Sequence, residues 1–237
     1  MNKLTILKAA LALSIVSTLV AGSALAAPAG HDARDTRLMA RLTLVHGVPG
    51  VDGFPVDISL YSFKAGIQEF NGVTFGTVAG PLKEAPGIYR VAVRAAGAPR
   101  FSKPLLSSWL FLAPGANKSV VAHLAADGTP RLDVYRNDVS STGGQSRVIV
   151  RHDAAAPAVD ILAGGAPVIS DLKNPRQAAI TVPDGTYPIA VALAGSTTPV
   201  FGPVDLTFAP NTVTIVYAVG SLSGGSFTPL VQVLPTR

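Results

Sequence analysis

Apolar and polar residues alternate along most of this chain in short runs, with a period of two. That period places every second side chain on one face of an extended strand. In Arg41 to His46 the residues Leu42, Leu44 and His46 share a face, and in Val56 to Tyr61 the inward set is Val56, Ile58 and Leu60. Val73 to Val78 reads as a weaker strand. Ile88 to Val93 reads as a strand whose better core face is Tyr89, Val91 and Val93, with Ile88, Arg90 and Ala92 opposite. Trp109 to Leu112 is a short apolar run. Ser119 to Leu124 is a further strand, Asp127-Gly128 a hairpin signal, and Arg131 to Tyr135 closes the series. Gly and Pro punctuate the runs at spacings near ten residues, and no helical period is sustained. The expected fold class is all-β: two tandem Ig-like antiparallel β-sandwich domains after an N-terminal signal peptide.

The tandem arrangement comes from an internal echo. Arg41 to Leu60 (RLTLVHGVPGVDGFPVDISL) returns about a hundred residues later as Arg147 to Leu162 (RVIVRHDAAAPAVDIL). Each copy starts with Arg, runs through apolar residues to a His, turns through a Pro-containing loop and resumes with Val-Asp-Ile. Asp184-Gly185-Thr186-Tyr187 answers Pro86-Gly87-Ile88-Tyr89, and Thr228-Pro229-Leu230-Val231 answers Thr129-Pro130-Arg131-Leu132. A period of this size signals a duplicated domain. The repeats are assigned to 41–136 and 147–237, joined by the polar, Gly/Ser-rich segment 137–146, which reads as a flexible linker.

With this order in place the chain resembles a known family. Val45-His46, a Pro loop, Val56-Asp57-Ile58, Phe75-Gly76-Thr77-Val78, Pro86-Gly87-Ile88-Tyr89 and Leu112-Ala113-Pro114-Gly115 follow one another as in the bacterial domain of unknown function numbered 4397. The second unit matches through His152, Ala156-Pro157-Ala158-Val159-Asp160, Gly185-Thr186-Tyr187, Ala218-Val219-Gly220 and Pro229-Leu230-Val231. The loop Gly47 to Phe54 is longer than the family's and lacks its Ser-Pro-Asp, and Arg151 precedes the second His. The resemblance implies an exported β-sandwich of the cell envelope or medium, and implies no established activity.

Residues 1–26 fit a signal peptide. Lys3 and Lys8 precede the apolar run Ala9 to Ala21, and Ala24-Leu25-Ala26 offers small residues for cleavage after Ala26. Residues 27–40 read as a flexible leader that includes His31. Removing Lys3 and Lys8 reduces 19 basic residues to 17 against 14 acidic ones, so a net charge of +5 becomes +3. The basic residues are scattered, without a run or an aromatic platform, and a nucleic-acid partner is not expected. No later stretch is apolar enough to span a bilayer, so no membrane insertion is expected after signal cleavage. There is no Cys, so the fold is held without disulfides. The expected localisation is periplasmic, extracellular or cell-surface.

Candidate chemistry is sparse. His46 and His152 recur, with Asp57 and Asp160 nearby in sequence, and these four form the candidate binding set. His with carboxylate can hold a metal or carry acid-base work. The competing reading has each His close the core at a strand end and donate to loop backbone, with each Asp accepting loop amides. We expect the second, with no catalytic residue, no metal and no cofactor. Ser170-Asp171-Leu172-Lys173 has a Ser-x-x-Lys spacing but lacks a helix and the companion motifs, so it is read as coincidence. Tyr61, Phe63, Phe70 and Phe75 are the densest aromatics: they either pack the core or, if exposed as a flat patch, stack against sugars. The expectation is a non-catalytic binding or structural module whose partner is an envelope or extracellular protein or polysaccharide. The alternatives are a carbohydrate-binding module and a metal-dependent enzyme using His46 or His152.

Overall fold

The computed structural model describes residues 38–50 and 54–237. The signal peptide, its cleavage after Ala26, and His31 lie outside the described residues. The strands of the first half are β1 (Ala40–His46), β2 (Val56–Ser62), β3 (Gly66–Val73), β4 (Val78–Glu84), β5 (Gly87–Ala95), β6 (Leu106–Leu112), β7 (Asn117–Leu124) and β8 (Pro130–Arg136). Those of the second half are β9 (Ser146–Ala155), β10 (Val159–Ala163), β11 (Ala166–Leu172), β12 (Gln177–Val182), β13 (Gly185–Leu193), β14 (Pro199–Phe208), β15 (Thr212–Ser221) and β16 (Thr228–Pro235). The fold is all-β, as the alternating pattern requires. Among the described residues no helix is long and apolar enough to cross a membrane.

The strands form four sheets, β4-β1-β7-β8 and β3-β2-β5-β6 in the first half, then β12-β9-β15-β16 and β11-β10-β13-β14 in the second. The order is the same in both halves. Pairing is antiparallel except that β1 runs parallel to β7 and β9 parallel to β15. Alternation explains the cores. Leu42, Leu44, Val56, Ile58, Leu60, Tyr89, Val91 and Val93 pack between the first two sheets, and Val148, Val150, Val159, Ile161 and Val191 between the second two. Tyr89 donates its hydroxyl hydrogen to Ala85 O at 2.7 Å, and Tyr187 does the same to Pro183 O at 3.2 Å.

One strand assignment changes. Val73 ends β3 and Val78 begins β4, so the segment read as a strand holds the turn between them. The apolar residues at both its ends mimic a strand, while Gly76, at φ +88°, supplies the left-handed bend.

A third apolar core lies between the halves. It joins Val45 and Val121 to Ile149, Val213, Ile215, Tyr217, Val219 and Leu234. β1, β7, β9 and β15 are therefore buried on both faces, and apolar runs such as Val148 to Val150 in β9 and Ile215 to Val219 in β15 sit beside buried polar residues. The segment 137–146 belongs to this contact. Asn137 and Val139 are buried, Arg147 Nη1 donates to Asp138 O and Ser140 O, both at 3.1 Å, and Arg237 N donates to Val139 O at 2.8 Å. Its polar, Gly-rich composition signals a loop, but these bonds fix it against both sandwiches.

Candidate functional site

His46 ends β1 and is 1% exposed. Its Nε2 donates to Phe54 O at 2.9 Å, which ties the long loop back to the strand. His152 repeats the device, donating from Nε2 to Pro157 O at 2.8 Å, and its Nδ1 faces the Ala154 amide at 3.4 Å. Burial holds both imidazoles below the ordinary histidine value, so both are neutral donors at Nε2.

The two aspartates act as staples. Asp57 accepts the Gly72 amide on Oδ1 at 2.9 Å and the Gly97 amide on Oδ2 at 2.8 Å. Asp160 accepts the amides of Asp171 and Gly195 at 2.8 and 2.9 Å. All four donors have positive φ, Gly72 and Asp171 near the ends of β3 and β11 and Gly97 and Gly195 in turns, and there a side-chain acceptor satisfies an amide the ladder cannot. Each carboxylate oxygen is thus engaged by backbone. The four candidate residues are placed as two equivalent His and Asp staples, one pair per sandwich, and among the described residues they do not gather into a cluster of three or more metal-ligating side chains.

These contacts set an expected result. His46→Ala lowers unfolding free energy by about 1–3 kcal/mol, because Phe54 O loses its donor. The pH dependence has a defined sign. A buried histidine with a depressed folded pKa contributes stability that is complete above the unfolded value of 6.5 and is lost as the pH falls toward the folded value. The gap between His46→Ala and the wild type therefore narrows from pH 8 to pH 5 in urea titrations. Asp153 works oppositely, since burial raises its carboxyl and its cost grows as pH rises above 3.8, but it is present in both proteins. An unchanged urea midpoint at pH 8 would contradict this role.

A polar network crosses the core between the sandwiches. Arg151 on β9 is fully buried, with its guanidinium 4.5 Å from the Tyr135 ring centre and 5.1 Å from that of Tyr217. It donates to Asn137 Oδ1 at 2.7 Å, Gln177 Oε1 at 3.0 Å, Tyr217 Oη at 3.2 Å and Arg136 O at 3.3 Å. The Tyr217 hydroxyl also lies 2.7 Å from Ser119 Oγ and 2.8 Å from Gln232 Oε1, and Gln232 Nε2 donates to Thr43 Oγ1 at 2.7 Å. Tyr135 donates to Asp153, and the His123 ring lies 2.7 Å from Asp133 Oδ2. His123, an apolar Val219 in the other half, is thus a bonded core residue. Thr43, Ser119, Asn137, Arg151, Tyr217 and Gln232 are buried at the centre of this network, where their bonds orient the two halves.

The exposed feature lies elsewhere, on the outer face of β3-β2-β5-β6. Tyr61 is directly opposite Ile67 on one side and Arg90 on the other, and Arg90 is opposite Trp109, with its guanidinium 5.9 Å from the indole centre. One row away Ile88 is opposite Phe111, and the Phe63 ring meets Tyr61 edge-on at 5.3 Å. Trp109, Phe111 and Ile88 are each more than half exposed, and Phe63 is 79% exposed. Of the aromatics singled out in the sequence, Tyr61 and Phe63 join this face, whereas Phe70 and Phe75 pack against cores. Trp109 and Phe111 escaped the sequence reading because an apolar run looks the same inward or outward. All four residues of Trp109 to Leu112 are apolar, so no alternation in the sequence marks the two that point outward. The second sandwich has Thr186 opposite Thr207 and Pro188 opposite Asp205 at the corresponding register. The fold does not require the aromatic face.

A family model described as "Domain of unknown function (DUF4397)" matches residues 40–162, from β1 through β10. No curated protein matches. Among solved structures, "The Bacillus anthracis TIE protein" aligns at 14% identity and TM-score 0.24 over 72% of this chain, which spans 31% of that chain. A chain from Bacteroides ovatus ATCC 8483 described as a "putative cell adhesion protein" aligns at 8% identity and TM-score 0.24, covering 83% of this chain and 98% of that one. At these TM-scores neither carries a functional argument.

Proposed function

The chain belongs to the DUF4397 family, and on that premise we propose that it is an exported, non-catalytic binding module of the cell envelope or medium that holds an extended polysaccharide chain on the outer face of its first sandwich. The second sandwich is read as a second copy of the family domain, supported by the shared strand order and the repeated His and Asp staples. It serves as the base on which the first is held.

The observation that carries the reading is the row Tyr61, Arg90, Trp109 with its neighbours Phe63, Ile88 and Phe111. Exposed apolar patches mark interaction surfaces, and aromatic rings with polar neighbours suit sugars, whose faces are apolar and whose edges are polar. Tyr61 and Trp109 stand two strands apart, about 10 Å at ordinary strand spacing. That separation suits every second sugar of an extended β-1,4-linked chain. Arg90 between them, with Ser59 and Ser107 in the next row, offers hydrogen-bond partners to hydroxyls.

Trp109 is the only tryptophan in the chain, so it reports its own occupancy. Titration with a soluble β-1,4-linked oligosaccharide is expected to shift its emission to shorter wavelength in a saturable way. Emission unchanged across a panel of such oligosaccharides would contradict the glycan reading.

A further inference from the structure

The aromatic row has a cation at its centre. Arg90 stands on β5 between Tyr61 on β2 and Trp109 on β6, partly exposed, with its guanidinium 5.9 Å from the indole centre. Each neighbouring strand lies about 4.8 Å away, close to the rise of one sugar in an extended β-1,4-linked chain. Three consecutive sugars crossing the strands therefore fall on Tyr61, Arg90 and Trp109. The outer two meet aromatic rings, and the middle one meets a guanidinium.

The other charged groups of this face are already engaged. Its outward strand residues include Asp57, Glu69, Arg90 and Arg94. Asp57 commits both oxygens to the Gly72 and Gly97 amides. Glu69 accepts from Arg100 on both oxygens, at 2.6 and 2.7 Å. Arg94 donates to Ser102 O at 3.0 Å and to Ser59 Oγ at 3.1 Å. Among the described residues Arg90 has no ion-pair partner. With Arg100 the face holds three arginines against two carboxylates, and the uncompensated charge is the one inside the aromatic row.

A chain stacked on Tyr61 and Trp109 covers Arg90 and strips water from it. A neutral sugar replaces that water with a hydroxyl. A carboxylate answers the guanidinium with two parallel, charge-assisted hydrogen bonds. Covering a cation without a counter-charge is disfavoured. Resting on the glycan reading above, we propose that the polysaccharide held on this face is a polyuronate, a β-1,4-linked chain in which the carboxylate of the sugar between the two stacked ones pairs with Arg90. The rings supply the hold on the chain, and Arg90 selects its charge.

The test uses two pairs of hexasaccharides, β-1,4-linked mannuronate against mannose and β-1,4-linked glucuronate against glucose. Within each pair the sugars differ only in whether C6 is a carboxylate or a hydroxymethyl group. Isothermal titration calorimetry on the full chain at pH 7.5 is expected to show, in at least one pair, saturable uronate binding at least about tenfold tighter than that of the neutral partner, the factor for one charge-assisted contact. Arg90→Gln is expected to bring the two members of that pair to about equal affinity by weakening the uronate. Its urea midpoint should match the wild type, because the side chain has no ion-pair partner to lose. Equal affinity within both pairs, tighter binding of the neutral members, or a preference unaltered in folded Arg90→Gln would overturn the proposal and leave the glycan reading standing. Binding of none of the four, with Trp109 emission unmoved, would overturn both. Should Arg90→Gln fail to fold, the paired comparison on the wild type decides alone.

Discussion

Arg151→Ala is expected to lower the unfolding free energy by about 3–5 kcal/mol, the usual cost of removing one member of a buried charged network. The guanidinium is stacked between Tyr135 and Tyr217 and donates to Asn137, Gln177 and Tyr217. Its removal leaves the buried Asn137 Oδ1 short of a donor in a space water does not reach, whereas the exposed Gln177 side chain can turn to water. Arg151→Lys is expected to recover little, because an ammonium cannot reproduce the planar fork or the stacking. The partners come from both sandwiches, with Tyr135 and Asn137 on one side and Gln177 and Tyr217 on the other. The wild type should therefore unfold in guanidinium in one transition, and Arg151→Ala in two separated ones. A midpoint within experimental error of the wild type, or two transitions in the wild type itself, would contradict the role assigned to this network.

The second large effect concerns binding. Trp109→Ala combined with Phe111→Ala is expected to weaken glycan affinity by about tenfold to a hundredfold, taking stacking at about 0.5–1.5 kcal/mol per ring and about 1.4 kcal/mol per tenfold. Both rings are more than half exposed, so stability should change by no more than about 0.5 kcal/mol. Thr186→Ala with Thr207→Ala, at the corresponding register of the second sandwich, should leave affinity unaltered. Measuring Kd by calorimetry and midpoint by urea on the same preparations separates the two effects. Equal affinity in the wild type and the Trp109 and Phe111 double variant would remove the aromatic face from the account.

The inward faces of β2 and β5 were legible because they alternate against solvent on one side: Val56, Ile58 and Leu60, then Tyr89, Val91 and Val93, are all buried. The His and Asp staples were legible too, as residue types with an obvious backbone use at a strand end or beside a turn. The core between the sandwiches was harder to read. Thr43, Ser119, Arg151 and Gln232 look like solvent-facing residues, and only the geometry shows that they satisfy one another. Their strands carried one usable sign, the near-continuous apolar runs in Val148 to Val150 and Val213 to Val219, which fit burial on two faces. The outward aromatics of β6 were illegible for the converse reason. Hydropathy reports that Trp109 and Phe111 are apolar and is silent on the side to which they point, which depends on register against β5.

The most direct measurement of the central claim is retention of the purified protein by washed envelope of its own host, with and without prior protease treatment of that envelope, in about 0.5 M salt where exposed charge interactions are largely screened. A polysaccharide-binding module predicts saturable retention that survives both the salt and the protease. Retention lost with salt, or lost when envelope proteins are digested, would contradict it.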